Sequence, residues 1–126
     1  ISEYAVEAAA TPAGETDAAT TTEFRSDGVV VATPLGSEGY ARAAGGPRLA
    51  PDTGVAVVPI APFAMQADSL VCRPPLTLTV ERDEGDVSLY LDDRYVADVT
   101  TDATVDVECG PPVSFLRVPA SAEGSE

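Results

Sequence analysis

The 126-residue sequence contains no histidine and no lysine, so its seven basic residues are all arginine. The absence of histidine excludes zinc sites built on imidazole and general acid–base chemistry by that side chain. Only two cysteines occur, Cys72 and Cys109, and they form no C-x-x-C pair. We expect two buried free thiols rather than a disulfide or a metal site.

Positive charge is scarce, because seven basic residues stand against 21 acidic ones and the formal net charge is −14. Self-repulsion of this size destabilises a compact chain in dilute buffer and is tolerated where salt screens it. The composition therefore predicts the cytoplasmic protein of a halophile, and the competing interpretation is an acidic interaction surface. Without a basic patch we expect neither nucleic acid nor an anionic membrane as a partner, and an anionic substrate would need local arginines.

Long apolar runs are also missing, since no stretch approaches the length that spans a bilayer and no signal peptide is visible. The length fits one domain, residues 1–126, with a single modest core. The chain begins at Ile1 rather than at methionine. We therefore expect a piece excised from a longer protein.

Short strands separated by turn residues fill most of the chain. The predicted strands are Thr20–Arg25, Val29–Val31, Gly54–Ile60, Leu76–Val80, Val87–Leu91, Tyr95–Val99, Asp102–Glu108 and Ser114–Val118. Turn signals at regular short intervals with almost no helix predict an all-β fold, an antiparallel β-sandwich. Asp92 and Asp93 fall at a hairpin turn, where aspartate bonds its own backbone; a metal or acid–base role is the alternative. The tail Ala120–Glu126 is expected to fray.

The segment from Asp27 to Pro47 has the most specific local pattern. A β-branched run, Val29–Val31, is stopped by Pro34, which cannot donate to a sheet ladder. After a tight turn, the Ser37 hydroxyl can cap a short helix, with Glu38 in its first turn and Gly45–Pro47 at its end. The pattern predicts a short buried strand, a turn and a short helix whose unpaired N–H groups face the loop.

This segment resembles the C-terminal domain of NAD kinases, which carries Asp-Gly, a β-branched strand, Thr-Pro-Thr-Gly-Ser-Thr-Ala-Tyr and then Gly-Gly-Pro. Ten residues match at matching spacing: Asp27, Gly28, Thr33, Pro34, Gly36, Ser37, Tyr40, Gly45, Gly46 and Pro47. Leu35, Glu38 and Gly39 depart from the motif. The resemblance extends more weakly over Tyr4 to Val118, and it implies a β-rich domain of NAD kinase type.

NAD kinases transfer the γ-phosphoryl group of ATP, or of polyphosphate, to the 2′-hydroxyl of NAD. Their active site lies between an N-terminal α/β domain, which holds a Gly-Gly-Asp-Gly loop, and the β domain. This chain has neither that loop nor a lysine, so we expect no catalysis by it alone. The resemblance implies NAD or NADP as ligand, a missing N-terminal domain and a homo-oligomer as partners, and ATP or polyphosphate with Mg²⁺ for the complete enzyme only.

The resemblance also implies a set of ligand-binding residues. Asp27 stands for an aspartate that contacts the nucleotide, Tyr40 for a tyrosine beside the base, and Thr33, Gly36 and Ser37 for the loop that shapes the pocket. Arg73, in an Arg-Pro pair like that of the family, could hold a phosphate or carboxylate with two hydrogen bonds. Its alternative role is a charge-paired structural arginine.

The first segment, Glu3–Ala10, fits a helix or an edge strand, and the resemblance favours the strand. Glu7 then stands for the glutamate of an Asn-Glu pair that lines the nucleotide site, although a solvated carboxylate explains it equally. Val6 replaces the asparagine and cannot supply its amide contacts. Phe63, expected as a core aromatic, stands where the family has histidine.

These departures, with Leu35 and Glu38 in place of hydroxyl residues, indicate a divergent member. Two hypotheses follow. The chain is the dinucleotide-binding domain of an NAD kinase or close relative, or it is a non-catalytic β module of the same type kept for assembly or ligand sensing. An unrelated acidic β-sandwich is the remaining possibility.

Overall fold

A computed structural model describes residues 2–8, 20–63, 68–82 and 85–111 of the chain. Its strands are β1 (Ser2–Ala8), β2 (Thr20–Ser26), β3 (Gly28–Ala32), β4 (Val55–Ile60), β5 (Leu70–Cys72), β6 (Leu76–Arg82), β7 (Val87–Leu91), β8 (Arg94–Val99) and β9 (Thr104–Val107). A 3-10 turn (Gly36–Glu38) and a short helix α1 (Tyr40–Ala43) lie between β3 and β4. Within these ranges, no helix is long and apolar enough to cross a membrane.

The strands form three antiparallel sheets, with the orders β2-β1-β6-β9, β3-β4-β5 and β7-β8. The predicted fold class, all-β with antiparallel pairing and one short helix after the first apolar strand, is confirmed. The placement of the first strand at an edge is wrong, because β1 pairs with both β2 and β6. Ala5, near the middle of β1, is buried, as expected for a residue of an inner strand.

The four-stranded and three-stranded sheets share one hydrophobic core. Val6, Phe24 and Leu76 from the first sheet pack with Val55 and Val57 of β4 in the second. Because side chains alternate along a strand, the intervening residues of β4 point to its other face. There Ala56 and Val58 pack with Ala32 and with Ala41 of α1 in a second cluster. Burial on both faces explains why the sequence of β4 is a continuous apolar run.

Two strand expectations differ from the structure. The valines of β3 are half-buried rather than fully buried, because β3 is an edge strand of its sheet. The strand β5 was not predicted. It has only three residues, Leu70–Cys72, which is too short for an alternating pattern to show.

The cysteines are free, as expected, but the expectation that both are buried is wrong, because Cys72 is half-buried and Cys109 is exposed. Burial raises the pKa of the Cys72 thiol above its ordinary value. Asp92 and Asp93 form the turn between β7 and β8, and Asp92 has a φ of 57°. The predicted strand Ser114–Val118 and the tail Ala120–Glu126 lie outside the described residues.

Candidate functional site

The candidate site is the turn that follows β3. The Thr33 carbonyl accepts a hydrogen bond from the Ser37 N–H at 2.7 Å, and its Oγ1 accepts one from the Gly36 N–H at 3.1 Å. Thr33 therefore binds two backbone amides of the turn and fixes its shape. The expectation that these amides are unpaired and face a ligand is wrong for Gly36 and Ser37, because both N–H groups donate to Thr33, three and four residues earlier.

Ser37 is fully buried, and its hydroxyl does not cap the helix. Its Oγ instead donates to the Pro34 carbonyl at 2.7 Å and accepts from the Leu49 N–H at 3.0 Å. The predicted capping role is therefore wrong. The second bond joins residues 12 positions apart, so the hydroxyl connects the turn to the loop after α1.

Replacement of Ser37 by alanine is expected to destabilise the protein by about 2 kcal/mol, because it leaves the Leu49 N–H without its acceptor in a part-buried place. Ser88→Ala is the matched control, since the Ser88 hydroxyl is exposed and its bond to Asp98 is long at 3.4 Å. We expect that control to stay within about 0.5 kcal/mol of the parent in urea unfolding. Equal stability of the two variants would contradict the role given to Ser37.

The loop after α1 is held equally firmly by the end of the helix. Gly45 has a φ of 99° and its N–H bonds the Arg42 carbonyl, while the Gly46 N–H bonds the Ala41 carbonyl at 2.8 Å. These two bonds form a Schellman motif, and they confirm that the glycine pair ends the helix. A Cβ on Gly46 would lie 2.6 Å from a Val58 methyl group, so this position packs directly on β4.

Tyr40, at the start of α1, presents its side chain to solvent with 64% exposure. Leu35, in the turn before it, is 75% exposed, so it does not fold back to close the corner. Glu38 is also exposed, and it forms an ion pair with Arg48 in which Nε and Oε2 are 3.7 Å apart. The corner therefore offers an accessible aromatic ring beside a rigid turn and a carboxylate paired with Arg48.

Arg73 and Glu7 lie at the same end of the molecule as this turn. Gly54 opens β4 beside the end of β5, where a Cβ would lie 2.5 Å from the Cys72 carbonyl oxygen and 3.6 Å from Arg73 Cγ. Since β4 separates β3 from β5, the backbones at Thr33 and Arg73 are about 10 Å apart. Glu7 pairs with Thr77, four residues after Arg73, and its exposed side chain points away from the core that Val6 enters.

Asp27 lies at the opposite end of β3, where its N–H donates to the Ile60 carbonyl at 2.9 Å. The intervening strand places it about 20 Å from Thr33 within one chain. Phe63 is at this far end too, and it is 63% exposed rather than part of the core. Its ring carries the Arg25 guanidinium at 4.8 Å from the centroid, a cation–π contact that keeps it at the surface.

Sequence reasoning missed Arg48 as a member of this site. The only signal was indirect: residues 33–54 contain two acidic and two basic residues, in a chain whose net charge is −14. Nothing in the local pattern indicated that the loop after Gly46 returns to the turn, because the contacts that join them, the Leu49–Ser37 hydrogen bond and the Arg48–Glu38 ion pair, connect residues far apart in sequence.

The part of the chain that the structure describes contains no set of side chains arranged to bind a metal ion. No group of three or more cysteine or carboxylate side chains there could hold an ion.

Comparisons with known proteins show which family the chain resembles. The family model described as the ATP-NAD kinase C-terminal domain matches residues 10–117. The chain is 38% identical to the NAD kinase of Caldicellulosiruptor bescii over 86 residues, which cover 67% of this chain and 33% of that protein. It is 38% identical to NAD kinase 2 of Streptomyces avermitilis over 108 residues, covering 82% and 36%.

A solved structure, an NAD kinase from Archaeoglobus fulgidus in complex with ATP, matches with a TM-score of 0.54 and 27% identity. The match covers 85% of this chain and 44% of that one. The chain thus spans about a third of the length of the curated relatives it matches.

Proposed function

Because this chain belongs to the NAD kinase family, as a C-terminal domain, we propose that it binds the dinucleotide in a phosphoryl transfer from ATP or polyphosphate to NAD. The proposal treats residues 1–126 as one β domain. Phosphoryl transfer needs a positioned hydroxyl and cations on the phosphates, with little covalent chemistry by the protein. A rigid binding surface is therefore the contribution that this domain can make.

The observation that carries the proposal is the fixed turn beside an exposed ring. Thr33, Gly36 and Ser37 bond one another and need no rearrangement on binding. Tyr40 offers an aromatic face for a base and a hydroxyl for a polar contact. Arg73 is close enough to reach a phosphate of the same ligand. Glu7, at the same end of the molecule, is proposed to accept a hydrogen bond from a ribose hydroxyl or from the amide group of the ligand. Asp27 contacts the nucleotide only if the ligand or the assembly bridges the length of β3.

The catalytic parts are assigned to the rest of the protein. This chain has no lysine and no Gly-Gly-Asp-Gly loop, so the donor phosphates and Mg²⁺ are proposed to bind an N-terminal domain. A homo-oligomer and a cytoplasmic place belong to the same proposal. The isolated domain is expected to be inactive.

Replacement of Tyr40 by alanine tests the proposal. We expect the full-length protein to bind NAD and NADP in calorimetry in molar KCl, and Tyr40→Ala to bind each about tenfold more weakly, because a stacked ring is lost. Tyr90→Ala is the matched control, since Tyr90 is similarly exposed, at 58%, on the β7–β8 hairpin. Absence of binding to both ligands in the parent protein would overturn the proposal.

The non-catalytic alternative draws on Val6, which is fully buried in the core where the resemblance implies an asparagine at the nucleotide. It also draws on Leu35, whose exposed isobutyl group replaces a hydroxyl. Incubation of the full-length protein with NAD and either ATP or polyphosphate separates the two functions. Formation of NADP excludes the alternative, whereas ligand binding without NADP formation supports it.

A further inference from the structure

Arg48 lies in a loop that the fold holds against the candidate site. Its neighbour Leu49 donates a backbone hydrogen bond to the buried Ser37 hydroxyl, and Gly46 packs on β4 with no room for a Cβ. The backbone on both sides of Arg48 is thus fixed relative to the turn after β3. The Arg48 side chain, in contrast, is 64% exposed.

The ion-pair partner of Arg48 is the carboxylate of Glu38, a residue that departs from the family motif. Glu38 stands where the resemblance implies a threonine, and its Oε2 lies 3.7 Å from Arg48 Nε. Both side chains are more than half exposed, and ion pairs of this kind are weak because water and salt compete for them. A better anion can therefore take the guanidinium from Glu38.

Arginines are concentrated at this end of the molecule. Of the six arginines in the described ranges, Arg42, Arg48 and Arg73 lie there, while Arg25 and Arg82 share Glu3 at the far end. In a chain with a net charge of −14, an anionic ligand binds only where cations are gathered. Arg48 is the member of this group that is tied to the turn itself.

We propose that Arg48 binds a phosphate group of the dinucleotide, and that Glu38 occupies the guanidinium until the phosphate displaces it. The inference rests on the proposed function of the site. A planar guanidinium donates two parallel hydrogen bonds to a phosphate and is preferred there over lysine. Glu38 then sets the ligand affinity by competing for Arg48 and by repelling the phosphates that approach the turn.

Calorimetric titration of the full-length protein with NADP tests this role through a pair of substitutions. Arg48→Gln is expected to weaken binding about tenfold, because a charge-assisted pair of hydrogen bonds is lost. The affinity of Arg48→Lys should fall between those of the parent protein and Arg48→Gln, since lysine keeps the positive charge but cannot donate two parallel hydrogen bonds. Glu38→Gln is expected to strengthen binding about threefold. Arg94→Gln, on the exposed hairpin, is the charge-matched control and should leave the affinity unchanged.

The double variant separates a direct contact from simple neutralisation of Glu38. If Arg48 binds the phosphate, Arg48→Gln weakens binding about tenfold in the Glu38→Gln background as well. If Arg48 only screens Glu38, Arg48→Gln has no effect in that background, and the inference is overturned. If the parent protein binds neither NADP nor NAD, the proposed function is overturned instead. Normal circular dichroism of each variant accompanies the titrations, because these exposed side chains are not needed for folding.

Discussion

Gly46→Ala is expected to lower the free energy of unfolding by about 3 kcal/mol. The added Cβ would lie 2.6 Å from a Val58 methyl group and 2.9 Å from the Ala41 carbonyl oxygen, and real Cβ atoms are not found this close to other heavy atoms. Val58 is almost fully buried in β4 and cannot move away without disturbing the core. Relief of the contact therefore requires α1 to separate from the three-stranded sheet, a form of overpacking.

The same change should weaken dinucleotide binding in protein that remains folded, because α1 carries Tyr40 and the following loop carries Arg48. Gly85→Ala is the matched control: nothing lies within 4 Å of its added Cβ, and we expect unchanged or slightly increased stability. Urea unfolding followed by circular dichroism measures both. A Gly46→Ala variant within 1 kcal/mol of the parent would show that the helix lifts from β4 at little cost.

Much of the fold was predictable because its signals are local. Strands such as β6 and β7 alternate between inward and outward residues, and the sequence shows that period directly. The double glycine after α1 likewise predicted the end of the helix, since few other residues adopt a positive φ. These features depend on neighbours within a few positions.

The features that were missed depend on distant partners. Ser37 has the local pattern of a helix cap, but its hydroxyl instead accepts the Leu49 N–H, a bond that only the folded loop brings into place. Phe63 is a large apolar residue of the kind expected in a core, yet it lies at the surface, where its ring packs against the Arg25 guanidinium. The residues of β1 alternate as those of an edge strand do. Nothing in them indicates that β6, about 70 positions later, pairs with its second edge. Arg48 was missed for the same reason.

The predicted site residues lie at opposite ends of β3, a separation that the sequence motif does not show. The matching positions from Asp27 to Tyr40 lie close together in sequence, and the motif treats them as one unit. The strand between them separates Asp27 from the turn by about 20 Å. A strand places residues that are close in sequence far apart in space, whereas the antiparallel pairing of β4 with both β3 and β5 brings Arg73 close to a turn that precedes it by 40 positions.

The second large effect is expected for Val6→Asn, which installs the residue that the resemblance implies at this position. Val6 has no exposed surface, and its neighbours in the core include Phe24, Val57 and Leu76. An asparagine there would bury an amide among apolar side chains and lose the contacts of the valine methyl groups. We expect destabilisation by about 4 kcal/mol, from both terms.

Glu7→Gln is the control for Val6→Asn, because it places an amide on the neighbouring residue, on the exposed face of the same strand. It should stay within about 0.5 kcal/mol of the parent. Urea unfolding of both variants, together with NAD titration of Val6→Asn and the parent protein, decides between two pictures of β1. A Val6→Asn variant that keeps its stability and binds NAD more tightly would mean that β1 turns this position towards the ligand. Loss of stability without a gain in binding means that this position belongs to the core in this chain, so one substitution does not restore the amide that the resemblance implies.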